Sequence, residues 1–104
     1  MPTTPLLPDL SLSSRVCVSR DQISSRLAGD VVILNLKAGV YHGLEGTGAW
    51  IWNQIQRPKS VGDIVIAMLA EYDVDPERCQ RELLALLGEL ARSGLIEVTD
   101  GPAR

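Results

Sequence analysis

Hydrophobic and polar positions along the chain change from a strand-like to a helical spacing after about residue 46. Residues 31–36 form a run rich in β-branched side chains, and residues 40–44 follow it after a short turn at 37–39, which predicts a hairpin. Residues 15–20 alternate partially between polar and apolar positions and predict a further strand. Residues 21–29 do not distinguish a strand from a loop.

Three helices are predicted in the second half of the chain. Their apolar residues recur at spacings of three and four over residues 47–56, 60–72 and 76–92. The third helix has the clearest start, because Asp75 is a good N-cap and Pro76 fits the first helical position.

This order of elements predicts an α+β, winged-helix-like fold, in which a three-stranded antiparallel sheet is followed by three helices. A chain of 104 residues has room for one domain. We assign that domain to residues 15–98. Residues 1–14, rich in Pro, Ser and Thr, are predicted to be a flexible N-terminal tail, and residues 99–104 a frayed C-terminus.

Composition and charge exclude several classes of protein. The formal net charge is −3, from 10 Lys and Arg against 13 Asp and Glu, which argues against binding nucleic acid through its phosphates. No apolar run is long enough to cross a membrane, and the start of the chain lacks a secretion signal. We therefore predict a soluble, cytoplasmic protein.

The inventory of reactive side chains favours neither a metal site nor catalysis. Cys17 and Cys79 lie far apart in sequence, and the chain has a single histidine, so a zinc site of the usual Cys/His type cannot be assembled. That histidine, His42, lies in a predicted strand with no nucleophile motif beside it. We expect no enzymatic activity and no cofactor.

The strand at residues 40–44 is the strongest candidate for a binding site. If it is the last strand of a three-stranded sheet, one of its sides has free N–H and C=O groups, which can accept an extended peptide as an extra strand. Gly43 would let another backbone approach closely. The alternative is that the N-terminal tail or the third helix covers this edge.

Trp50 is a second candidate for contact with a partner. In the first helix it falls near Asn53, Gln54 and Arg57, on the polar side, and an exposed tryptophan there favours contact with another molecule. A single exposed apolar residue without a partner is the alternative.

Several loose motifs follow one another along the second and later strands and the helices. They are, in order, Leu34-Asn35-Leu36, Gly39-x-Tyr41-His42-Gly43-Leu44, Gly48-Ala49-x-Ile51-Trp52, Ser60-Val61-x-Asp63-Ile64, Tyr72-Asp73-Val74-Asp75-Pro76-Glu77 and the run from Leu83 to Ile96. Their order resembles the PqqD-like proteins, which are peptide chaperones or leader-recognition elements for ribosomally made, modified peptides. The resemblance covers roughly residues 15–97, and within that family the chain looks most like the stand-alone recognition subunit of split lasso-peptide systems.

The resemblance implies a non-catalytic protein that holds a precursor's leader segment as an added antiparallel strand on the third strand. The leader's apolar side chains would then lie in a cleft between that strand and the third helix. The partner enzyme implied for lasso systems is a cysteine-protease-like leader peptidase, and for the quinone-cofactor pathway a radical enzyme. The implied docking strand is Val40, Tyr41, His42, Gly43 and Leu44, and the implied cleft residues of the third helix are Arg78, Cys79, Glu82, Leu83 and Leu86.

Three other interpretations remain open at this point. Leu83 and Leu86 fit an ordinary helical core as well as a cleft. A winged-helix transcription regulator would use the third helix, but that helix carries as many glutamates as arginines and makes a poor surface for phosphates. A structural or dimerisation module would use Trp50, and free edge strands allow a homodimer.

Overall fold

The structure is a computed structural model and describes residues 10–99. Its described part contains six strands and three helices, which confirms the α+β class and the three predicted helices. In chain order these are β1 (Arg15–Val18), β2 (Gln22–Leu27), β3 (Asp30–Asn35), β4 (Val40–Leu44), α1 (Gly46–Gln54), β5 (Lys59–Ser60), α2 (Val61–Glu71), α3 (Pro76–Arg92) and β6 (Ile96–Thr99).

The strands form two antiparallel sheets of three strands each, in the orders β2-β3-β4 and β5-β1-β6. The sequence predicts only one sheet, and the expectation that residues 15–20 belong beside the hairpin is wrong. β2, which the sequence left ambiguous, pairs with β3 instead, while β1 pairs with β5 and with β6, whose Thr99 lies opposite Arg15. β4 is nevertheless an edge strand of its sheet, as predicted.

The β2–β3 hairpin is closed by a two-residue turn at Ala28 and Gly29. Both residues have positive φ angles, of 52° and 93°, which is the conformation that a tight hairpin turn requires. Leu27 and Asp30 flank this turn as paired residues, so the turn fixes the register of β2 against β3.

One face of the β2-β3-β4 sheet packs against the helices. Along β3, Val31, Ile33 and Asn35 are buried, and the residues between them are half-buried. The core that this face joins is built almost entirely of aliphatic side chains and contains one buried tryptophan, Trp52. Its largest fully buried members are Trp52, Ile33, Ile55, Ile64, Leu83, Leu87 and Leu95.

Part of the predicted N-terminal tail lies within the described residues. The Ser14 carbonyl accepts a hydrogen bond from the Val61 N–H, and the Leu12 carbonyl accepts one from the Gly62 N–H, both at 2.9 Å. Residues 10–14 therefore lie against the start of α2. The remainder of that tail, residues 1–9, and residues 100–104 of the predicted frayed end lie outside the described residues.

Trp50 is half-buried, so the exposed position that the helix pattern predicts for it is wrong. Its ring meets the ring of Tyr72 edge-on, with the centroids 5.6 Å apart and the planes at 81°. Aromatic rings prefer this arrangement because the positive edge of one ring faces the negative face of the other. Tyr72, at the end of α2, therefore covers the side of α1 that the sequence assigned to solvent.

Candidate functional site

The free edge of β4 can be described residue by residue from the hairpin turn. In a two-residue hairpin the residues flanking the turn exchange their hydrogen bonds, and bonded and non-bonded pairs then alternate along the strands. Starting from Leu27 and Asp30, this alternation directs the N–H and C=O groups of Tyr41 and Gly43 away from β3. Within residues 10–99, no other strand pairs with that side of β4.

The side chains of β4 alternate between the two faces of the sheet. Val40, His42 and Leu44 lie opposite the buried residues of β3 and therefore face the helices. Tyr41 and Gly43 face outward, and Tyr41 is 69% exposed. A Cβ atom placed on Gly43 would meet nothing within 4 Å, so the outer face is open at that position.

Asn35 connects the turn before β4 to the end of α3. Its Nδ2 donates to the Ser93 carbonyl at 2.8 Å, and its Oδ1 accepts from the N–H groups of Lys37 and Ala38 at 2.9 and 3.0 Å. Although Asn35 is polar, the residue is only 8% exposed. Asn35 thereby fixes the position of the β3–β4 turn relative to α3.

A cleft of about 530 Å³ opens between the start of α1, the end of α2 and the first half of α3. Ile51, Met68 and Leu83 supply apolar walls from the three helices, and charged side chains from the α2–α3 connection and α3 add a polar part. The full lining is Thr47, Gly48, Ile51, Met68, Tyr72, Asp73, Val74, Asp75, Arg78, Cys79, Glu82, Leu83 and Leu86.

Arg78 and Glu82 form an ion pair along the exposed face of α3. The Arg78 Nε donates to Glu82 Oε2 at 2.9 Å, and this hydrogen bond, together with the negative charge, raises the pKa of the guanidinium further. Asp75 is the N-cap of α3, and its Oδ2 accepts a hydrogen bond from the Arg78 backbone N–H at 2.9 Å. The capping interaction thus lies beside the ion pair in the lining of the cleft.

Cys79 lies in the buried part of the cleft. Its Sγ donates to the Met68 Sδ at 3.8 Å. Burial raises the pKa of the Cys79 thiol, and the nearby charge of Glu82 adds to the effect. A thiol with a raised pKa stays protonated at neutral pH and is a poor nucleophile. In this position it serves as a small apolar side chain.

The structure brings the five predicted α3 residues together in the lining of the cleft. The five β4 residues are not part of that lining, but a Cβ placed on Gly48 would lie 3.5 Å from Leu44 Cδ2, so the strand borders the cleft through Gly48. Sequence reasoning missed the cleft role of Ile51, Met68 and Tyr72, because each fits an ordinary apolar helix stripe. That any of these residues contacts a peptide stays a prediction.

The described residues contain no group of three or more His, Cys, Asp or Glu side chains placed to hold a metal ion. None of the helices within residues 10–99 is long and apolar enough to span a bilayer.

Comparison with protein families identifies the chain. The family described as Coenzyme PQQ synthesis protein D (PqqD) matches residues 30–96, well over half of the sequence. The chain belongs to the PqqD family. The matched range begins with β3 and ends at the start of β6, so it includes the β4 edge and the α3 side of the cleft.

Two solved structures are similar to this PqqD-family chain. One, TbiB1 in complex with the TbiA(β) leader peptide, has 36% sequence identity and a TM-score of 0.74, over 78% of this chain and 94% of that one. The other, a lasso peptide synthetase B1 complexed with the leader peptide, has 22% identity and a TM-score of 0.71, over 79% of this chain and 96% of that one. The second similarity supports the fold alone. No curated protein matches the chain.

Proposed function

We propose that this protein binds the leader segment of a ribosomally synthesised precursor peptide and presents it to a leader peptidase of a lasso-peptide pathway, without catalysing a reaction itself. The observation that carries the proposal is the similarity to TbiB1, which was solved in complex with a leader peptide and matches 78% of this chain and 94% of its own. We expect this presentation to take place in the cytoplasm.

The proposed binding mode is addition of the leader as an antiparallel strand on β4. The outward N–H and C=O groups of Tyr41 and Gly43 would form its hydrogen bonds, which requires no particular leader sequence. Specificity would come from alternate side chains of the leader. A leader residue opposite His42 would face the helices, as His42 does, and would extend toward the cleft. His42 and the leader residue opposite it would exchange no backbone hydrogen bonds. In antiparallel sheets the side chains of such a pair lie closest together.

The cleft suits this role because Ile51, Met68 and Leu83 give it an apolar part. A leader residue that buries a Leu or Ile side chain there gains roughly 1.5–3 kcal/mol, which is enough to distinguish it from a polar residue. Leu86, half-buried in α3, is the apolar lining residue of that helix with the most surface left to contribute. Leu83 is fully buried and supports the cleft from within the core.

A second candidate function has the same binding mode but a different partner enzyme. The matched family is described by its part in coenzyme PQQ synthesis, which favours a chaperone for a radical enzyme. Gel filtration of the protein and its precursor with each candidate enzyme would distinguish the two, since only the true partner forms a ternary complex.

The test of strand addition uses two substitutions at one backbone position. Gly43→Pro removes the outward N–H of β4, while Gly43→Ala keeps it and places its methyl group in open space. The probe is a fluorescein-labelled leader segment of the precursor encoded beside the protein's own gene, with the TbiA(β) leader peptide as a second probe, titrated by fluorescence anisotropy.

We expect Gly43→Pro to weaken leader binding about tenfold or more, because a hydrogen bond is lost and its partner carbonyl is left unpaired. Gly43→Ala should stay within about threefold of wild type. Far-UV circular dichroism must show that both variants are folded. Equal affinities for the two variants would rule out strand addition on β4, and no binding of either leader by the folded wild-type protein would overturn the proposed function.

A further inference from the structure

The opposite edge of the same sheet, β2, is also open. The alternation that directs Tyr41 and Gly43 outward on β4 directs the N–H and C=O groups of Gln22, Ser24 and Arg26 outward on β2. Within residues 10–99, β2 pairs with β3 alone, and no hydrogen bond reaches this outward row. The strand has six residues and no proline, and Arg26 is its only charge.

β2 also exposes its apolar side chains. Ile23 and Leu27 are 59% and 58% exposed, although they are the only two large hydrophobic residues of the strand. Both point to the outer face, away from the helices, because their β3 partners are not among the buried residues of that strand. An edge with free backbone groups and exposed apolar side chains is a strong template for pairing with another strand.

The sequence of β2 is complementary to itself when two copies pair antiparallel about Ser25. In that register Ser24 faces Arg26 of the second copy, and these outward residues exchange their backbone hydrogen bonds. Ile23 then faces Leu27 of the second copy in the closer, non-bonded kind of pair, and this contact occurs twice. The two Arg26 side chains are not opposite each other, so the register avoids facing like charges.

The neighbouring register, centred on Ser24, is less favourable. It places Ile23 opposite Ser25 of the second copy and leaves both Leu27 side chains without an apolar partner. Cross-strand apolar pairs contribute to sheet stability, so the register about Ser25 is preferred.

We propose that two copies of this protein associate through β2, forming one continuous six-stranded antiparallel sheet. The two β4 strands become the outer edges of that sheet, so each copy keeps its free edge. The proposal does not rest on leader binding, because it uses the other edge of the sheet. A single strand pair buries less surface than the ~800 Å² per partner of a stable complex, so the dimer is weak, with a Kd above about 10 µM.

The experiment is sedimentation equilibrium of the full chain between roughly 10 µM and 1 mM, a range set by that expected Kd. Ile23→Lys and Leu27→Glu each replace one apolar partner by a charge. The double variant Ile23→Lys/Leu27→Glu places Lys opposite Glu at both ends of the pair in the Ser25 register and in no other. Ile66→Lys, at a 67% exposed position on α2, is the matched control for loss of surface hydrophobicity.

We expect each single variant to raise the dimer Kd roughly tenfold or more, and the double variant to recover most of the loss. Ile66→Lys and Gly43→Pro should leave the Kd unchanged, since neither touches β2. A wild-type protein that stays monomeric to about 1 mM overturns the proposal. So does a dimer that Gly43→Pro abolishes, or one in which the double variant, shown to be folded, is no better than the singles.

Discussion

Replacing Asn35 by alanine removes the only side chain that hydrogen-bonds the β3–β4 turn to the end of α3 within the described residues. The change deletes the hydrogen bond to the Ser93 carbonyl and the two that Oδ1 accepts from Lys37 and Ala38. Because this turn leads into β4, the substitution tests how firmly the proposed docking strand is held against the helices.

The loss of stability depends on whether each backbone group that loses its hydrogen bond to Asn35 can find another partner. A hydrogen bond contributes about 0.5–1.5 kcal/mol net, and more when a buried partner is left unpaired. Lys37 and Ala38 are exposed, so water can replace Asn35 at their N–H groups. Ser93 is half-buried, so its carbonyl regains a partner less easily. We therefore expect Asn35→Ala to lower the free energy of unfolding by about 2–3 kcal/mol.

The assay is urea unfolding followed by far-UV circular dichroism. With a slope of about 1.3 kcal/mol/M for a domain of this size, the expected loss lowers the midpoint by about 2 M urea. Asn53→Ala is the matched control, because Asn53 is exposed on α1 and should change stability by less than about 0.5 kcal/mol. A midpoint for Asn35→Ala within about 0.4 M of wild type would refute the reasoning.

Two further predictions concern α3. In urea unfolding, Leu83→Ala should cost about 2–5 kcal/mol of stability because Leu83 is fully buried. Leu86 is only half-buried, so Leu86→Ala should cost less than about 1.5 kcal/mol. In the anisotropy titration, Leu86→Ala should instead weaken leader binding about threefold or more. Iodoacetamide should modify Cys79 more slowly than the half-buried Cys17, as followed by peptide mass spectrometry; equal rates in the folded protein would contradict this. Because the pKa of Cys79 is raised in the folded protein, the thiol loses its proton at lower pH in the unfolded chain than in the folded one. The free energy of unfolding should therefore fall as the pH rises from the unfolded-state pKa to the folded-state pKa of Cys79. Cys79→Ala should remove that fall.

The helices could be predicted from the sequence because their signals are local. α3 begins at Pro76 and ends at Arg92, as predicted, and Asp75 caps it through its side chain. Ser60 caps α2 in the same way, because its Oγ accepts from the Asp63 N–H at 3.1 Å. Such signals need only three or four neighbouring residues.

The strands were harder because their signals are not local. β2 has its large apolar residues, Ile23 and Leu27, on the solvent side, while Ser24 forms a hydrogen bond with the buried Trp52. Its pattern therefore gives no hydrophobic face to detect. β1 belongs to its sheet only through partners distant in the chain, such as Thr99 opposite Arg15.

The cleft could be predicted only in part for a related reason. A helical apolar stripe shows which side chains turn away from solvent, but it cannot separate those packed against a neighbour from those that line a cavity. Met68 and Ile51 fit their stripes well and are buried, yet both line the cleft. Only the three-dimensional meeting of α1, α2 and α3 distinguishes the two cases.

The edge-on contact between Trp50 and Tyr72 makes the fluorescence of Trp50 an intrinsic probe of the cleft. Tyr72 lines the cleft, so the Trp50 indole is one ring away from any molecule that enters it. Trp52 is buried on the other side of α1 and donates its Nε1–H to Ser24 on β2. The two tryptophans therefore sense different regions, and the emission of a Trp52→Phe variant would isolate the signal from the cleft, without any attached dye.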